Sequence, residues 1–330
     1  MDGGVLPYIR RPHEGGRLAL QALRGDALNK GELATKLRDE GHSNAGIAAL
    51  MNMPEPSVRR LISEWRSAHD PDWAETPASR PMRIVFIPDT QCRPDDDLGF
   101  LTWAGEYIAT QEPDVIIHAG DHYDMASLSS YEQRGSKYFE GKRYLADIAA
   151  GNEGWERLEE GLQKRSVPSW KPKRDYLLGN HEQRIERAVQ ADPRLEGVIG
   201  YEGFNTEKLG WEMHPFLKVV ERGGVAFAHY FYNPNTGRAY AGSVDTMLRN
   251  IGFSFAMGHQ QGLRYARREL NNGAVQVGLV AGSFYEHNEE YRGHQAQSEW
   301  RGLIVMHEVR DGNYDLMQVS MDYLRRKFSQ

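Results

Sequence analysis

The chain has 330 residues, 40% hydrophobic and 26% charged, an ordinary globular composition in a length that exceeds one small domain. A formal net charge of −6 excludes a surface that binds nucleic acid through overall basicity, so any such contact must come from a local patch. A single cysteine, Cys92, excludes a disulfide framework within the chain and fits a reducing compartment.

The opening segment, MDGGVLPYIRRPHEGG, has no apolar core of the kind a signal peptide carries, and no apolar run reaches the length of a membrane span. A cytoplasmic protein with no membrane contact is therefore expected. Residues 1–26 hold Gly, Arg and Pro without a sustained period and read as a loose arm. Residues 27–69 carry a helical pattern. Ile47, Ala48 and Met51 form one apolar stripe and Val58, Leu61 and Ile62 another, with a turn at Asn52-Met53 between them. Ser43 or Asn44 suits the cap of the second helix, and Pro54 and Pro56 suit the first turn of the third. Residues 70–81, DPDWAETPASRP, hold three prolines and no period, as a linker does.

From there the chain alternates. MRIVFIPDT reads as a buried strand that delivers Asp89 to a loop, DLGFLTWAGEYIATQEP as an amphipathic helix, and PDVIIHAGD as a second buried strand. A polar and aromatic stretch over 123–172 contains a helix around 143–163. RDYLLGN is a third strand, followed by a helix in HEQRIERAVQ. FLKVVERGGVAFAHY reads as a hairpin turning at Arg222-Gly223-Gly224, SVDTMLRNIG as a helix, and FSFAMGHQQ as a strand ending in a loop. AVQVGLVAGSF is another strand, and GLIVMHEVRDGNYDLMQVSM a pair of strands joined at Asp311-Gly312-Asn313. The order predicts an α/β fold over 82–330: a two-sheet α/β/β/α sandwich preceded by a small helical domain.

Polar residues of metal-ligating type recur directly after the apolar runs. They are Asp89 and Gln91 in DTQ, Asp121 and Asp124 in GDHYD, Asn180 and His181 in GNHE, His229 in AFAHY, and His259 and Gln261 in GHQQ. Side chains at strand ends of α/β folds converge without breaking the sheet. Taken singly, Asp89, Asp121 and Asn180 read equally well as helix caps. Five blocks in order read otherwise.

This series resembles the calcineurin-like metallophosphoesterases, whose pattern runs D-x-H, G-D-x-x-D, G-N-H-[ED], a lone His and G-H-x-H; the resemblance covers about residues 83–320. It implies two divalent ions bridged by Asp121. Asp89, Gln91 and Gln261 would bind the first ion, and Asn180, His229 and His259 the second. His181 would stand beside the scissile phosphate as general acid, with Asp124 orienting its neighbours. Gln91 and Gln261 stand where the family mostly has His. An oxygen-only first site favours Mn²⁺ or Mg²⁺ over Zn²⁺, and the second suits Mn²⁺, Fe or Zn²⁺, so Mn²⁺ is expected.

His118 reads as a satisfied core histidine. His122 reads as structural, with a substrate contact as the alternative. His214, His287, His294 and His307 lack a motif, and Cys92 lacks an activating base. The helical segment before the linker resembles the helix-turn-helix of resolvases and sigma-like regulators. Its third helix would then offer Ser57, Arg59 and Arg60 to nucleic acid, with a small docking or oligomerisation bundle as the alternative. Helix-turn-helix modules often pair on two-fold sites, which leaves a homo-oligomer open. The insert carries Tyr131, Arg134, Lys137, Tyr138, Phe139, Lys142, Arg143 and Tyr144, basic residues among aromatics that would suit a nucleic-acid strand, or else a solvated helix with an aromatic anchor. The combination resembles phage-encoded phosphoesterases and points to a phosphodiesterase or nuclease. The motif itself is common to protein, nucleotide and cyclic-nucleotide phosphoesterases and does not choose among them. A regulator with an inactive hydrolase domain is a further alternative.

Overall fold

In the computed structural model, the described residues are 29–39, 42, 44–69, 81–129, 139–287 and 299–329. The expected arm over 1–26, nearly all of the linker over 70–81, Ser43, Tyr131, Arg134, Lys137, Tyr138 and His294 lie outside them. The chain divides into two compact units, residues 1–80 and 81–330.

The first unit contains helices α1 (Lys30–Asp39), α2 (Asn44–Met51) and α3 (Glu55–His69). Asn29 Oδ1 accepts from the Gly31 N–H at 3.0 Å and so caps the start of α1. Helix α2 ends at Asn52, which adopts φ 50°, as the turn expected here requires. The core of this unit is Leu33, Ala34, Leu37, Ile47, Val58 and Ile62, with Ala48, Met51 and Leu61 packed at the margin, so both predicted stripes are used.

The second unit is built on two sheets. The first has the order β11-β10-β1-β2-β3-β4, with β1 (Met82–Ile87), β2 (Val115–His118), β3 (Lys173–Leu177), β4 (Glu212–His214), β10 (Gly302–Arg310) and β11 (Asn313–Ser320). The second has the order β5-β6-β7-β9-β8, with β5 (Val220–Arg222), β6 (Val225–Phe227), β7 (Phe255–Met257), β8 (Leu263–Glu269) and β9 (Val275–Ala281). Strands β1 to β4 run parallel, as do β6, β7 and β9, while β5, β8, β10 and β11 join antiparallel.

Alternation along the strands explains the layering. In β1, Ile84 and Phe86 enter the core between the sheets, where they meet Phe227, Val277 and Leu279. Val85 and Ile87 point the other way, into the core formed with helices α4 (Gly99–Gln111) and α5 (Tyr144–Arg165). A strand covered on both faces needs a continuous apolar run, which is how MRIVFI reads. Helix α6 (Arg184–Ala191) follows β3 where HEQRIERAVQ predicts one and buries Ile185 in the same core. Helix α7 (Val244–Ile251) covers the outer face of the second sheet with Val244, Met247 and Leu248. Helix α8 (Met321–Phe328) returns to the first core through Met321 and Leu324. Complete burial of each such aliphatic or Phe side chain contributes about 1.5–3 kcal/mol. The arrangement is the expected α/β/β/α sandwich. The sequence pattern does not announce β4, β8 or α8, because they are largely polar: β8 is LRYARRE and α8 is MDYLRRKF. No helix among the described residues is long and apolar enough to cross a membrane.

A buried ion-pair network ties β3 to its neighbours. Asp175 is wholly buried, and Arg222 on β5 donates to both its oxygens at 2.8 and 2.9 Å while His214 on β4 lies 2.9 Å away. Glu212 stands beside them, and these acidic and imidazole groups are close enough to suggest a cation. The Arg222 guanidinium already occupies that role. Burial raises the Asp175 pKa, but the bonds from His214 and Arg222 outweigh it and hold the carboxyl below its ordinary value. A depressed carboxylate stabilises the fold above its unfolded pKa of about 3.9 and ceases to do so as pH falls through the folded value. Asp175→Asn should therefore cost about 3–5 kcal/mol at pH 7 in urea unfolding, and the gap to wild type should close at acid pH. A pH-independent gap would contradict this account.

Candidate metal centre and active site

The loops that follow β1, β2, β3, β6 and β7 meet at one edge of the two sheets, because these strands are mutually parallel within each sheet and end together. Asp89 bridges to Ser283 beyond β9, which joins the two sheets at this edge. The Gln91 N–H donates to the Asp121 carbonyl at 2.8 Å, and the Gly258 N–H to the His229 carbonyl at 3.1 Å.

Five of the expected ligand residues, Asp89, Asp121, Asn180, His229 and His259, are joined here by direct contacts. Ligand atoms of Asp121, His229 and His259 lie within 4.8 Å of one another. His229 Nε2 is 2.8 Å from Asn180 Oδ1 and 3.4 Å from Asp121 Oδ2. Asp89 accepts from the His259 N–H through both oxygens at 3.0 and 3.1 Å. Gly179 and Gly258 permit this closeness. A Cβ on Gly179 would stand 2.1 Å from Asp121 Oδ1, and one on Gly258 2.3 Å from Asp89 Oδ1. Gln91, Asp121, His259 and Gln261 all have positive φ, at 39°, 48°, 66° and 55°. Each costs about 1–3 kcal/mol, and strain of this kind gathers where function holds it.

Three features of the donor set fit divalent cations. Gln91 Oε1 is buried and makes no hydrogen bond, so a carbonyl-type oxygen is presented without a partner. His229 Nδ1 lies 2.8 Å from the Ala119 carbonyl, which fixes the proton on that nitrogen and turns the Nε2 lone pair inward. Asp89 and Asp121 are both buried and mutually repulsive. Burial, partly offset by His229, lifts Asp89 to about 7. Burial also disfavours charge on Asp121, but His181 and His229 override it and hold the carboxyl well below its ordinary range. Burial lowers the His229 pKa, yet the Asp121 charge outweighs it and the ring rises to about 9. Cations would occupy the position that imidazolium protons hold in this balance. Gln261 differs from Gln91. The buried Tyr285 hydroxyl donates to Gln261 Oε1 at 2.8 Å, so that this oxygen already accepts a hydrogen bond.

His181 stands at the margin of the cluster. Its Nδ1 is 2.9 Å from Asp124 Oδ1, and its Nε2 is 3.7 Å from Asp121 Oδ2. Arg93 Nε donates to Asp124 Oδ2 at 3.0 Å. Burial and Arg184 lower the His181 pKa, whereas Asp121 and Asp124 raise it and prevail. Asp124 thus holds Nδ1, while Nε2 lies between Asp121 and Arg184.

Sequence reasoning missed three contributors. Glu182, the last residue of GNHE, is wholly buried. Its Oε1 accepts from the N–H groups of His122 and Tyr123 and from the Tyr176 hydroxyl; its Oε2 accepts from the N–H groups of Asp121 and Gly179. Arg184 donates to the Asp124 carbonyl at 2.8 Å and reaches His181 Nε2 at 3.0 Å. Tyr285 is the third. Glu182 is visible as the fourth position of its motif; Arg184 and Tyr285 carry no signal in the sequence.

The histidine expectations divide. His118 is a satisfied core residue: the Gly120 N–H donates to its Nδ1, so its Nε2–H donates to Thr90 Oγ1 at 3.1 Å. Thr90 passes its proton to His122 Nδ1 at 2.7 Å, and His122 Nε2–H donates to the Gly151 carbonyl at 2.8 Å. Both rings are therefore neutral, in accord with burial pushing His122 down to about 3. The alternative of a substrate contact through His122 is corrected, since the ring is wholly buried and bonded at both nitrogens. Burial pushes the Cys92 thiol up, which leaves it a core residue. In the insert, the Tyr144 hydroxyl donates to the Gly200 carbonyl at 2.8 Å and anchors the start of α5; Arg143 is exposed. In the first unit, Arg60 is exposed beside Glu64 at 3.7 Å and Ser57 is half-buried. Of Arg59, only its place within α3 is described.

No protein-family model matches the chain. It is 26% identical over 194 residues to the Gene 54 protein of Mycobacterium phage D29, covering 55% of this chain and 71% of that protein. A structural comparison pairs 73% of this chain with 90% of a conserved uncharacterized protein, a predicted phosphoesterase, from Streptococcus pneumoniae TIGR4, at 12% identity and a TM-score of 0.31.

Metal binding at this centre should stabilise the fold. Mn²⁺ at 100 times its dissociation constant should add about 2.7 kcal/mol, read as a rise in Tm that chelator reverses. Asp121→Asn should abolish the rise. A Tm indifferent to Mn²⁺ in the wild type would refute the centre.

Proposed function

We propose that the chain is a phosphoester hydrolase that uses two divalent ions, most simply Mn²⁺, and acts on phosphodiesters of nucleic acid. The observation that carries this reading is the convergence of Asp89, Asp121, Asn180, His229 and His259, with the buried Oε1 of Gln91 unpartnered in the loop after Asp89 and His181 held at the margin by Asp124. Asp89, Gln91, Asp121 and Gln261 would hold one ion, and Asp121, Asn180, His229 and His259 the other. When bound, such a pair of ions polarises the phosphoryl group and lowers the pKa of water toward neutrality.

The chain's own residues do the rest. Asp121 offsets the repulsion of two cations. Asp124 keeps a proton on His181 Nδ1 and fixes the ring; Nε2 accepts from Arg184 here, and it would take up a proton and pass it to the leaving oxygen once Arg184 turns onto the incoming phosphate. Arg93 and Arg184 hold Asp124 through its carboxylate and its carbonyl. Arg184 also reaches His181 Nε2, where it adds a fixed positive charge next to an incoming phosphate.

The choice of nucleic acid rests on the N-terminal unit. Its three helices, with a left-handed turn at Asn52, are consistent with a helix-turn-helix whose α3 offers Ser57, Arg59 and Arg60. The similarity to a mycobacteriophage protein fits the same reading. With so few basic residues, binding would be modest and salt-sensitive.

The test is metal-stripped protein assayed with Mn²⁺ on bis(p-nitrophenyl) phosphate, p-nitrophenyl phosphate and labelled DNA. Diester and DNA cleavage is expected, with a roughly hundredfold or greater loss in His181→Asn while the Mn²⁺-dependent rise in Tm persists. Turnover of the monoester alone would make the protein a phosphatase, and an unaltered rate in His181→Asn would remove the general acid.

A further inference from the structure

Residues 231–240, FYNPNTGRAY, form a short hairpin at the edge of the centre. Tyr232 bridges to Ala239, the Tyr240 N–H donates to the Phe231 carbonyl at 2.9 Å, and the Asn233 N–H donates to the Arg238 carbonyl at 2.9 Å. Phe231 is buried against Phe255, and Tyr230 and Tyr240 pack against the same core, while Tyr232 is exposed.

Two separate ties join this hairpin to the metal-ligand loop 258–261. The Tyr230 ring lies 4.7 Å from that of His259. Gln260, the one position of GHQQ that the metal pattern leaves without a role, donates through Nε2 to the Tyr240 carbonyl and accepts at Oε1 from Arg264. Arg264 is on β8, and its other arm donates to the Gly242 carbonyl. The hairpin is thus pinned at both ends of its base to the loop that carries His259 and Gln260.

Its outward side is of a different character. Tyr232 is 45% exposed, an aromatic ring left in water. Arg238 is exposed on the opposite arm, where it pairs with Asn233, one position from the Tyr232–Ala239 pair, so that it and Tyr232 flank the edge of the hairpin from its two faces. Asn235 and Thr236 at the tip are exposed and uncharged. An aromatic ring and a guanidinium on a hairpin whose base is tied to the His259 loop match the two demands of an unpaired nucleotide: a flat surface for its base and a cation for its phosphate. A duplex offers no free base face, and a small phosphomonoester needs neither feature.

We propose that the 231–240 hairpin is the platform on which a single-stranded nucleic acid lies as it enters the centre, with a base stacked on Tyr232 and a backbone phosphate paired with Arg238. The proposal rests on the phosphodiesterase reading above and deepens it by naming the form of the substrate.

The experiment compares kcat/KM on a labelled single-stranded oligonucleotide with kcat/KM on bis(p-nitrophenyl) phosphate, using the full chain with Mn²⁺. Tyr232→Ala should lower the ratio of the two roughly tenfold, and Tyr232→Phe, which keeps the ring, should restore it. Arg238→Ala should lower the ratio several-fold and reduce the salt dependence of the oligonucleotide reaction by about one phosphate contact. A ratio unchanged in both alanine variants overturns the proposal, as does a Tyr232→Phe variant no better than Tyr232→Ala. Wild-type cleavage of the small diester with single strands left intact, or a preference for phosphopeptides, overturns it while sparing the hydrolase reading. A wild type inert toward every phosphoester removes that reading and this one with it.

Discussion

Glu182 is a carboxylate without exposed surface, and its two oxygens accept hydrogen bonds from Asp121, His122, Tyr123, Gly179 and the Tyr176 hydroxyl. Three of these donors belong to the loop after β2 and one to the loop after β3. A single side chain therefore satisfies the backbone of both loops where they would otherwise be orphaned, at a cost of about 1–3 kcal/mol per unmet group. The same bonds hold Asp121 in its left-handed conformation and bring Gly179 against it. Burial and the neighbouring Asp121 charge both push the Glu182 pKa up, and the donors counter them. The position of Asp121, and hence of everything that converges on it, follows from this one anchor.

Around that anchor the charges are separated by function. Asp89, Asp121 and the imidazoles of His229 and His259 form a dry cluster whose two carboxylates repel, a balance that favours cations over protons. On the other side of His181, the positive charges of Arg93 and Arg184 gather about Asp124. Beneath lies the neutral chain from His118 through Thr90 to His122 and Gly151, a rigid floor that contributes hydrogen bonds and no charge. Acidic, basic and neutral groups thus occupy distinct places within a few ångströms, the separation that the proposed hydrolysis of a phosphoester would require.

The rim is joined to the centre through Gln260 and Tyr230, so the hairpin and the His259 loop share hydrogen bonds and ring contacts. A substrate held on the one is held in register with the other. Preorganisation of this kind reduces the freedom a flexible substrate must lose before reaction.

Much of this is legible in the amino-acid sequence. Runs such as MRIVFI and VIIH declare strands covered on both faces, since nothing but burial on two sides tolerates unbroken apolarity, and polar residues directly after them declare a strand-end site. Local spacing therefore determined the strands at the centre and named Asp89, Gln91, Asp121, Asn180, His181, His229 and His259 in order. Tertiary structure alone decided what lies across long separations in the chain. Asp121 meets Glu182 from 61 residues away and Asp89 meets His259 from 170, and no local pattern encodes such a bond. The polar edge strand β8, the arginine behind His181 and the tyrosine that donates to Gln261 Oε1 belong to the same class. Periodicity records which face of an element is buried; only the closed sandwich determines which distant donor finds which acceptor.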